Sequence, residues 1–262
     1  MKEMIRHSTP TPPELGTHDG LSYALFLPDG EPDVGVVILH GAGSAKESHF
    51  DFARGCRADG MAALAYDARG HGRSEGSFGP TAFQDALAMV TLLHSYAPQV
   101  GLRGSSMGGF QAIHAGAVAA EEHRAGRVGP GADGGGPGAA IDGRVCAVVA
   151  ICPAPEAGLL RFLRSDQRPE FGCDADACRP WLESLDIFEA AGRLGPDTAL
   201  LLMHARGDEQ VPYTVSERIH EAAREPRRLL ILPGGHHRSV QHDEELQAIS
   251  RKFIRDAARS SS

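Results

Sequence analysis

Short apolar runs recur along the chain at residues 21–27, 34–40, 61–66, 100–103, 145–151, 199–204 and 228–232, and most are separated by stretches that suit a helix. The run at 34–40, Val-Gly-Val-Val-Ile-Leu-His, is continuous rather than alternating, as expected of a strand buried on both faces. Helices are predicted at 46–57, 81–96 and 110–120, the last rich in alanine and free of proline. Strand and helix in alternation predict an α/β class protein, with a mostly parallel central sheet covered by helices on both faces. At 262 residues, one large domain with a full core is the expected organisation.

Two segments break the rhythm. Residues 126–143 are dominated by glycine, carry too little side chain to build a core element, and are predicted to form a mobile surface loop. Between 153 and 195, Leu159, Leu160, Phe162, Leu163, Phe171, Trp181, Leu182, Leu185 and Phe188 recur at mixed helical spacing with proline breaks. This predicts a small helical cap inserted into a core formed by 1–152 and 196–262. The alternative is an ordinary crossover built on one long helix.

The formal charge of -8 and the lack of a basic stripe argue against nucleic acid as a partner. No stretch approaches the length of a membrane span and residues 1–13 hold no apolar run, so no membrane partner and a cytoplasmic location are expected. Of the five cysteines, Cys56, Cys146 and Cys152 lie in or beside apolar segments and are read as small core hydrophobes. Cys173 and Cys178 bracket an acidic stretch and are read as free thiols or as a local disulfide. No spacing suits zinc, and neither a metal nor a cofactor is expected. Nothing in the chain bears on oligomeric state.

Ser106 stands two residues from a glycine on either side in Gly104-Ser105-Ser106-Met107-Gly108-Gly109, between a predicted strand and a predicted helix. A chain with 32 glycines produces such runs by chance, so the strand-to-helix placement is what gives this one weight. A serine at so sharp a turn presents its hydroxyl to a cleft, and small neighbours keep the adjacent backbones from colliding. Ser106 is therefore the candidate nucleophile.

A serine hydroxyl needs a base to take its proton, and the base needs a third group to hold its tautomer. Downstream, Asp208 falls in His204-Ala205-Arg206-Gly207-Asp208-Glu209-Gln210-Val211-Pro212, straight after an apolar run, and His236 and His237 follow the next run. Glu209 is the rival acid. Asp208 also reads as the N-cap of a helix over 211–224, a role expected to compete with holding a histidine.

In these motifs and in their order, serine then acid then histidine, the chain resembles the α/β-hydrolase superfamily, and within it the small bacterial esterases with a helical cap. The resemblance spans about residues 21–254. The family's Gly-Asp-x-x-Val-Pro pattern falls on Asp208, and its Gly-x-x-His turn falls on Gly234-Gly235-His236-His237, selecting His237 over His236. The resemblance implies an oxyanion hole made by the backbone N–H groups of Met107 and Ala42, the latter following the His40-Gly41 pair. The stretch Asp67-Ala68-Arg69-Gly70-His71-Gly72-Arg73-Ser74 resembles the family's turn after a central strand. Asp67 and His71 are read as structural, the alternative being a basic loop that binds an acidic substrate.

The activity implied is that of a serine hydrolase cleaving a small-molecule carboxylic ester through an acyl-enzyme, with Trp181, Leu159 and Phe162 lining a pocket for short to medium acyl or aryl esters. A thioesterase or an acyltransferase shares the first half-reaction. A peptidase would hold a substrate amine with acids such as Glu156, Asp166, Glu170, Asp174, Asp176 and Glu183, which a solvated face also explains. A non-catalytic receptor for a small ligand is a further reading of the same fold.

Overall fold

The protein is described by a computed structural model covering residues 11–126, 144–164 and 172–260. Residues 127–143 of the loop predicted at 126–143, and the part of the predicted cap holding Asp166, Glu170 and Phe171, lie outside these residues. In chain order the elements are β1 (Glu14–His18), β2 (Leu21–Phe26), β3 (Val34–Leu39), α1 (Phe50–Ala58), β4 (Ala62–Tyr66), α2 (Ala82–His94), β5 (Gln99–Ser105), α3 (Met107–Arg124) and β6 (Val145–Ile151). They continue with α4 (Glu156–Arg164), α5 (Ala175–Glu183), α6 (Ile187–Leu194), β7 (Ala199–Ala205), α7 (Thr214–Ala222), β8 (Arg227–Leu232), α8 (Ser239–His242) and α9 (Glu244–Ser260).

The strands form one sheet in the order β1-β2-β4-β3-β5-β6-β7-β8. β2 is antiparallel to both neighbours, and the six strands from β4 to β8 run parallel. Within each buried strand the side chains alternate between two cores. Val37, Leu39, Leu64, Val148 and Leu202 meet Phe83 and Leu87 of α2, Phe110 and Ile113 of α3 and Leu194 of α6. Val36, Ile38, Ala63, Val149 and Met203 meet Phe52 and Cys56 of α1 and Ile254 of α9. Burial on both faces is why these segments read as unbroken apolar runs.

Strand β1 was not legible in advance. It is an edge strand whose residues are exposed or half-exposed, so Glu-Leu-Gly-Thr-His carries no apolar alternation. The helix expected at 46–57 divides into a 3-10 turn over Lys46–His49 and then α1. Within 153–195, α4 and α5 pack on each other, whereas α6 packs on α3 and α7 in the layer flanking the sheet. The sulfurs of Cys173 and Cys178 lie 2.8 Å apart, and the Cys178 thiol donates to the Phe78 carbonyl. Among the described residues no helix is long and apolar enough to cross a membrane.

The register aligns the carboxyl ends of the parallel strands. Leu39 pairs with Gly104, Ser105 with Ile151, Ile151 with Met203, and Ala205 with Leu232. The loops opening at His40, Ser106, Cys152, Arg206 and Pro233 therefore leave one edge of the sheet together. β3 is flanked by β4 on one side and β5 on the other, so the strand order reverses there, the place where open α/β sheets form a crevice.

Candidate active site

Ser106 is the hinge between β5 and α3, with φ 54° and ψ -115°. A positive φ on a residue with a Cβ costs on the order of 1–3 kcal/mol and persists only where its surroundings impose it. They do so here: the Ser106 amide donates to the Ile151 carbonyl at 2.8 Å, and the Ser106 carbonyl accepts from Phe110 and Ala154 at 3.0 and 3.2 Å. The flanking glycines are required by contact. A Cβ on Gly104 would run into the Gly108 carbonyl, and one on Gly108 into the backbone of Leu39 and His40.

The loop after β3 passes against this elbow, since a Cβ on Gly41 would lie 3.4 Å from the Ser105 carbonyl oxygen and 3.5 Å from the Ser106 Cβ. Its path is held by His40. Nε2 of that ring accepts from the Ala68 amide at 3.0 Å, so the proton is on Nδ1, which donates to the Gly41 carbonyl at 2.8 Å. Burial pushes the His40 pKa down and keeps the ring neutral in this role. A second tie is the buried Lys46, whose amide and ammonium both donate to Asp67, at 2.8 and 2.6 Å. Burial opposes ionisation of Asp67, but these bonds and one from the Arg73 amide outweigh it and hold its pKa low. Asp67 and His71, whose Nδ1–H donates to the Arg69 carbonyl at 3.1 Å, thus face inward on their own turn.

His237 is buried, and its Nδ1 lies 2.7 Å from Asp208 Oδ2. Burial of the Asp208 carboxyl opposes its ionisation, yet bonds from His204, His237 and the amides of Val211 and Gln210 outweigh burial and hold the pKa well below the usual carboxylate range. An ionised carboxylate only accepts, so Nδ1 carries the imidazole proton and Nε2 presents a lone pair. Glu209, the rival acid, accepts from the His237 backbone amide at 3.1 Å instead, and His236 is exposed.

One expectation is corrected. Turn-capping and holding a histidine do not compete at Asp208, because its two oxygens divide them: Oδ1 accepts from the Gln210 and Val211 amides at 2.9 Å each, while Oδ2 faces His237. The helix that follows, α7, starts three residues later than the reading 211–224 and is capped at Tyr213.

His204 was not singled out from sequence, although it opens the same motif. It lies buried behind Asp208, with Nε2 2.9 Å from the Val211 carbonyl and 3.2 Å from Asp208 Oδ2. Two acceptors at one nitrogen require that Nε2 carry a proton. Its Nδ1 contacts Ser216 Oγ at 2.7 Å, which completes a chain from Ser216 to His237.

Cys152 has φ 44° and sits below this pair, its sulfur within 4.8 Å of ligand atoms of Asp208 and His237. These three are the one group of metal-ligand type among the described residues. Burial, with Asp208 beside it, pushes the thiol pKa far up, so the sulfur stays protonated, and Asp208 Oδ2 is already taken by His237. The arrangement is that of a proton-holding network rather than of an open ligand set.

Ser106, His237 and Ala42 line one cavity of about 510 Å³. Leu159 and Phe162 of α4 line it too, as do Val211, Arg161 and Arg238. Met107, the first residue of α3, has its side chain buried, and its amide is one of the N–H groups that a helix start leaves without an intrahelical partner. Trp181 is placed elsewhere. It packs in an aromatic cluster with Phe78, Phe83 and Phe110, ring centroids 5.7, 5.3 and 6.0 Å away. An indole on the inner face of α5 finds more apolar surface there than at the cavity wall.

A family model described as serine aminopeptidase, S33, matches residues 30–131. No curated protein matches the chain. Among solved structures, Est1E from Butyrivibrio proteoclasticus is 16% identical, with a TM-score of 0.66 over 95% of this chain and 100% of its own. The monoacylglycerol lipase of Paleococcus ferrophilus is 18% identical, with a TM-score of 0.63 over 92% of this chain and 99% of its own. The alpha/beta hydrolase GrgF from Penicillium sp. sh18 is 17% identical, with a TM-score of 0.64 over 92% and 94%. The chain has the α/β-hydrolase fold.

The α/β-hydrolase fold accounts for why residues so far apart in sequence as Ala42, Ser106, Asp208 and His237 meet at one edge of the sheet. What sequence reasoning missed at this site is polar. His204 carried a usable signal, four residues before Asp208 in a quoted motif. Arg161 and Arg238 carried none, because a charged residue on a surface helix or loop reads as solvated.

Proposed function

We propose that the protein is a serine hydrolase that cleaves carboxylic esters through an acyl-enzyme. The observation that carries this reading is the 2.7 Å bond from His237 to a buried, ionised Asp208, in a residue pair whose histidine shares a cavity with the strained Ser106. With Nδ1–H committed to Asp208, Nε2 of His237 takes the proton of Ser106 as Oγ attacks the ester carbonyl. The oxyanion forms where the start of α3 and the Gly41-Ala42 loop meet, and is held by the amides of Met107 and Ala42. Collapse of the tetrahedral intermediate passes the proton from His237 to the departing alkoxide. Water then attacks the acyl-Ser106 with the same base, releasing the acid.

The cavity volume falls in the usual range for small-molecule sites, and Leu159, Phe162 and Val211 give an acyl or aryl group apolar contact. An aminopeptidase, which the description of the matching family model suggests, needs a carboxylate to hold the substrate ammonium. None of the cap acids within the described residues lines the cavity, and three of them have partners of their own. Glu156 contacts His114 at 2.9 Å, Asp174 caps α5, and Glu183 lies 3.9 Å from Arg164. This favours the ester reading.

The test is hydrolysis of p-nitrophenyl esters from acetyl to dodecanoyl by the wild type and by Ser106→Ala. The reading expects turnover with an optimum at short to medium chains that disappears in the variant. Equal turnover by Ser106→Ala, or cleavage of aminoacyl amides in preference to all esters, would overturn it.

A further inference from the structure

Arg161, on α4, and Arg238, directly after His237, line the cavity from two separate elements. Both are exposed, and neither is in an ion pair with a described residue, whereas Arg164 one turn along α4 lies 3.9 Å from Glu183. Among the cavity's described lining residues there is no carboxylate, and the polar side chains other than Ser106, His237 and the two arginines are the neutral Ser44, Ser105, Gln210 and Gln241. The two acids beside the cavity are already engaged. Asp208 is held by His237 and the Val211 and Gln210 amides, and Glu209 accepts from the His237 amide. The lining is thus cationic in a chain with 34 acidic and 26 basic residues, the reverse of what chance placement would give.

An unpaired guanidinium is a planar fork of donors matched to a carboxylate, and two of them beside a partly enclosed cavity attract an anion strongly. We propose that the natural substrate is an ester that carries a free carboxylate besides the bond being cleaved, and that Arg161 and Arg238 hold that carboxylate. The inference rests on the ester-hydrolase reading and names the substrate class of the same site. It extends the account of the apolar wall: Leu159 and Phe162 contact the chain between ester and carboxylate, and the arginines fix its far end.

The experiment compares kcat/KM within two matched pairs, with Ser106→Ala supplying the non-enzymatic background. Mono-p-nitrophenyl glutarate against p-nitrophenyl pentanoate places the charge on the acyl side. The second pair, 4-acetoxybenzoate against 4-methylphenyl acetate, places it on the alcohol side. The proposal expects the acid to exceed its neutral partner about tenfold or more in one pair, a ratio that shrinks as salt shortens the reach of exposed charges. In the Arg161→Ala, Arg238→Ala double variant that ratio should fall toward one. An acid-to-neutral ratio at or below one in both pairs, or a ratio unchanged in the double variant, would overturn the proposal while leaving the ester reading intact. Failure to turn over any of the four esters would overturn the ester reading and the proposal with it.

Discussion

Replacing Asp208 by asparagine changes one group of atoms and hardly alters side-chain volume, yet it sets the hydrogen bonds around that side chain against one another. Oδ1 of Asp208 accepts from two backbone amides, and Oδ2 accepts from His237 Nδ1 and lies 3.2 Å from His204 Nε2. An asparagine must turn its oxygen toward the two amides, because its NH2 group there would oppose two fixed donors. The NH2 group then faces His237, and the imidazole can be satisfied only by moving its proton from Nδ1 to Nε2. A histidine protonated at Nε2 cannot take the proton of Ser106. Substituting the amide for the orienting carboxylate in a triad of this geometry lowers kcat by roughly 10⁴. That factor corresponds to about 5.5 kcal/mol of barrier at 1.36 kcal/mol per decade. The prediction for Asp208→Asn is a fall in kcat on a p-nitrophenyl ester of about 10³ to 10⁴, with KM altered little because the carboxylate does not line the cavity. A steady-state assay with burst-phase titration of active sites separates this from loss of folded protein. A kcat within about tenfold of wild type would refute the tautomer argument.

Other consequences follow from single positions. His237→Ala should lower kcat to the level of Ser106→Ala, while His236→Ala, at an exposed position, should stay within about threefold of wild type; the reverse ranking would reassign the base. Gly104→Ala forces a Cβ into the Gly108 carbonyl and should destabilise the fold by at least about 3 kcal/mol in urea unfolding, with no stable elbow left to assay. Burial, and then the nearby His40, push the His71 pKa down from 6.5 to about 4. The folded chain therefore keeps His71 neutral where the unfolded chain is already protonated, so its share of stability is complete above about pH 6.5 and is lost as pH falls toward 4. His71→Leu should reduce the slope of stability against pH in that window by up to about 1.4 kcal/mol per pH unit, measured by denaturant melts; an unchanged slope would mean that His71 is charged in the folded chain.

Much of the fold was legible because of where the strands lie. β3, β6 and β7 are buried on both faces, so their sequences are continuous apolar runs that no other element explains as well. β1 was illegible for the opposite reason: at an exposed edge, pairing is done by backbone and leaves no mark on side chains. The elbow was legible because close packing of β5, α3 and the β3 loop excludes a Cβ at Gly104 and Gly108. The polar network was only partly legible. His204 stands four residues before Asp208, but the turn of its Nε2 toward that carboxylate, and the reach of Ser216 to its other nitrogen, need the strand, the turn and α7 to be in place. Trp181 shows the limit of residue type as a guide. A lone tryptophan in an apolar helix suits a pocket wall and a core equally, and only the nearness of Phe78, Phe83 and Phe110 decides between them.

The central claim is that His237, oriented by Asp208, activates Ser106. Labelling with a fluorophosphonate, followed by peptide mapping of the adduct, tests it without knowledge of the substrate. The account predicts a single adduct on Ser106, formed at least about 10³-fold more slowly in His237→Ala and comparably slowed in Asp208→Asn. An adduct on Ser105 or any other residue, or labelling of Ser106 at an undiminished rate in His237→Ala, would contradict it.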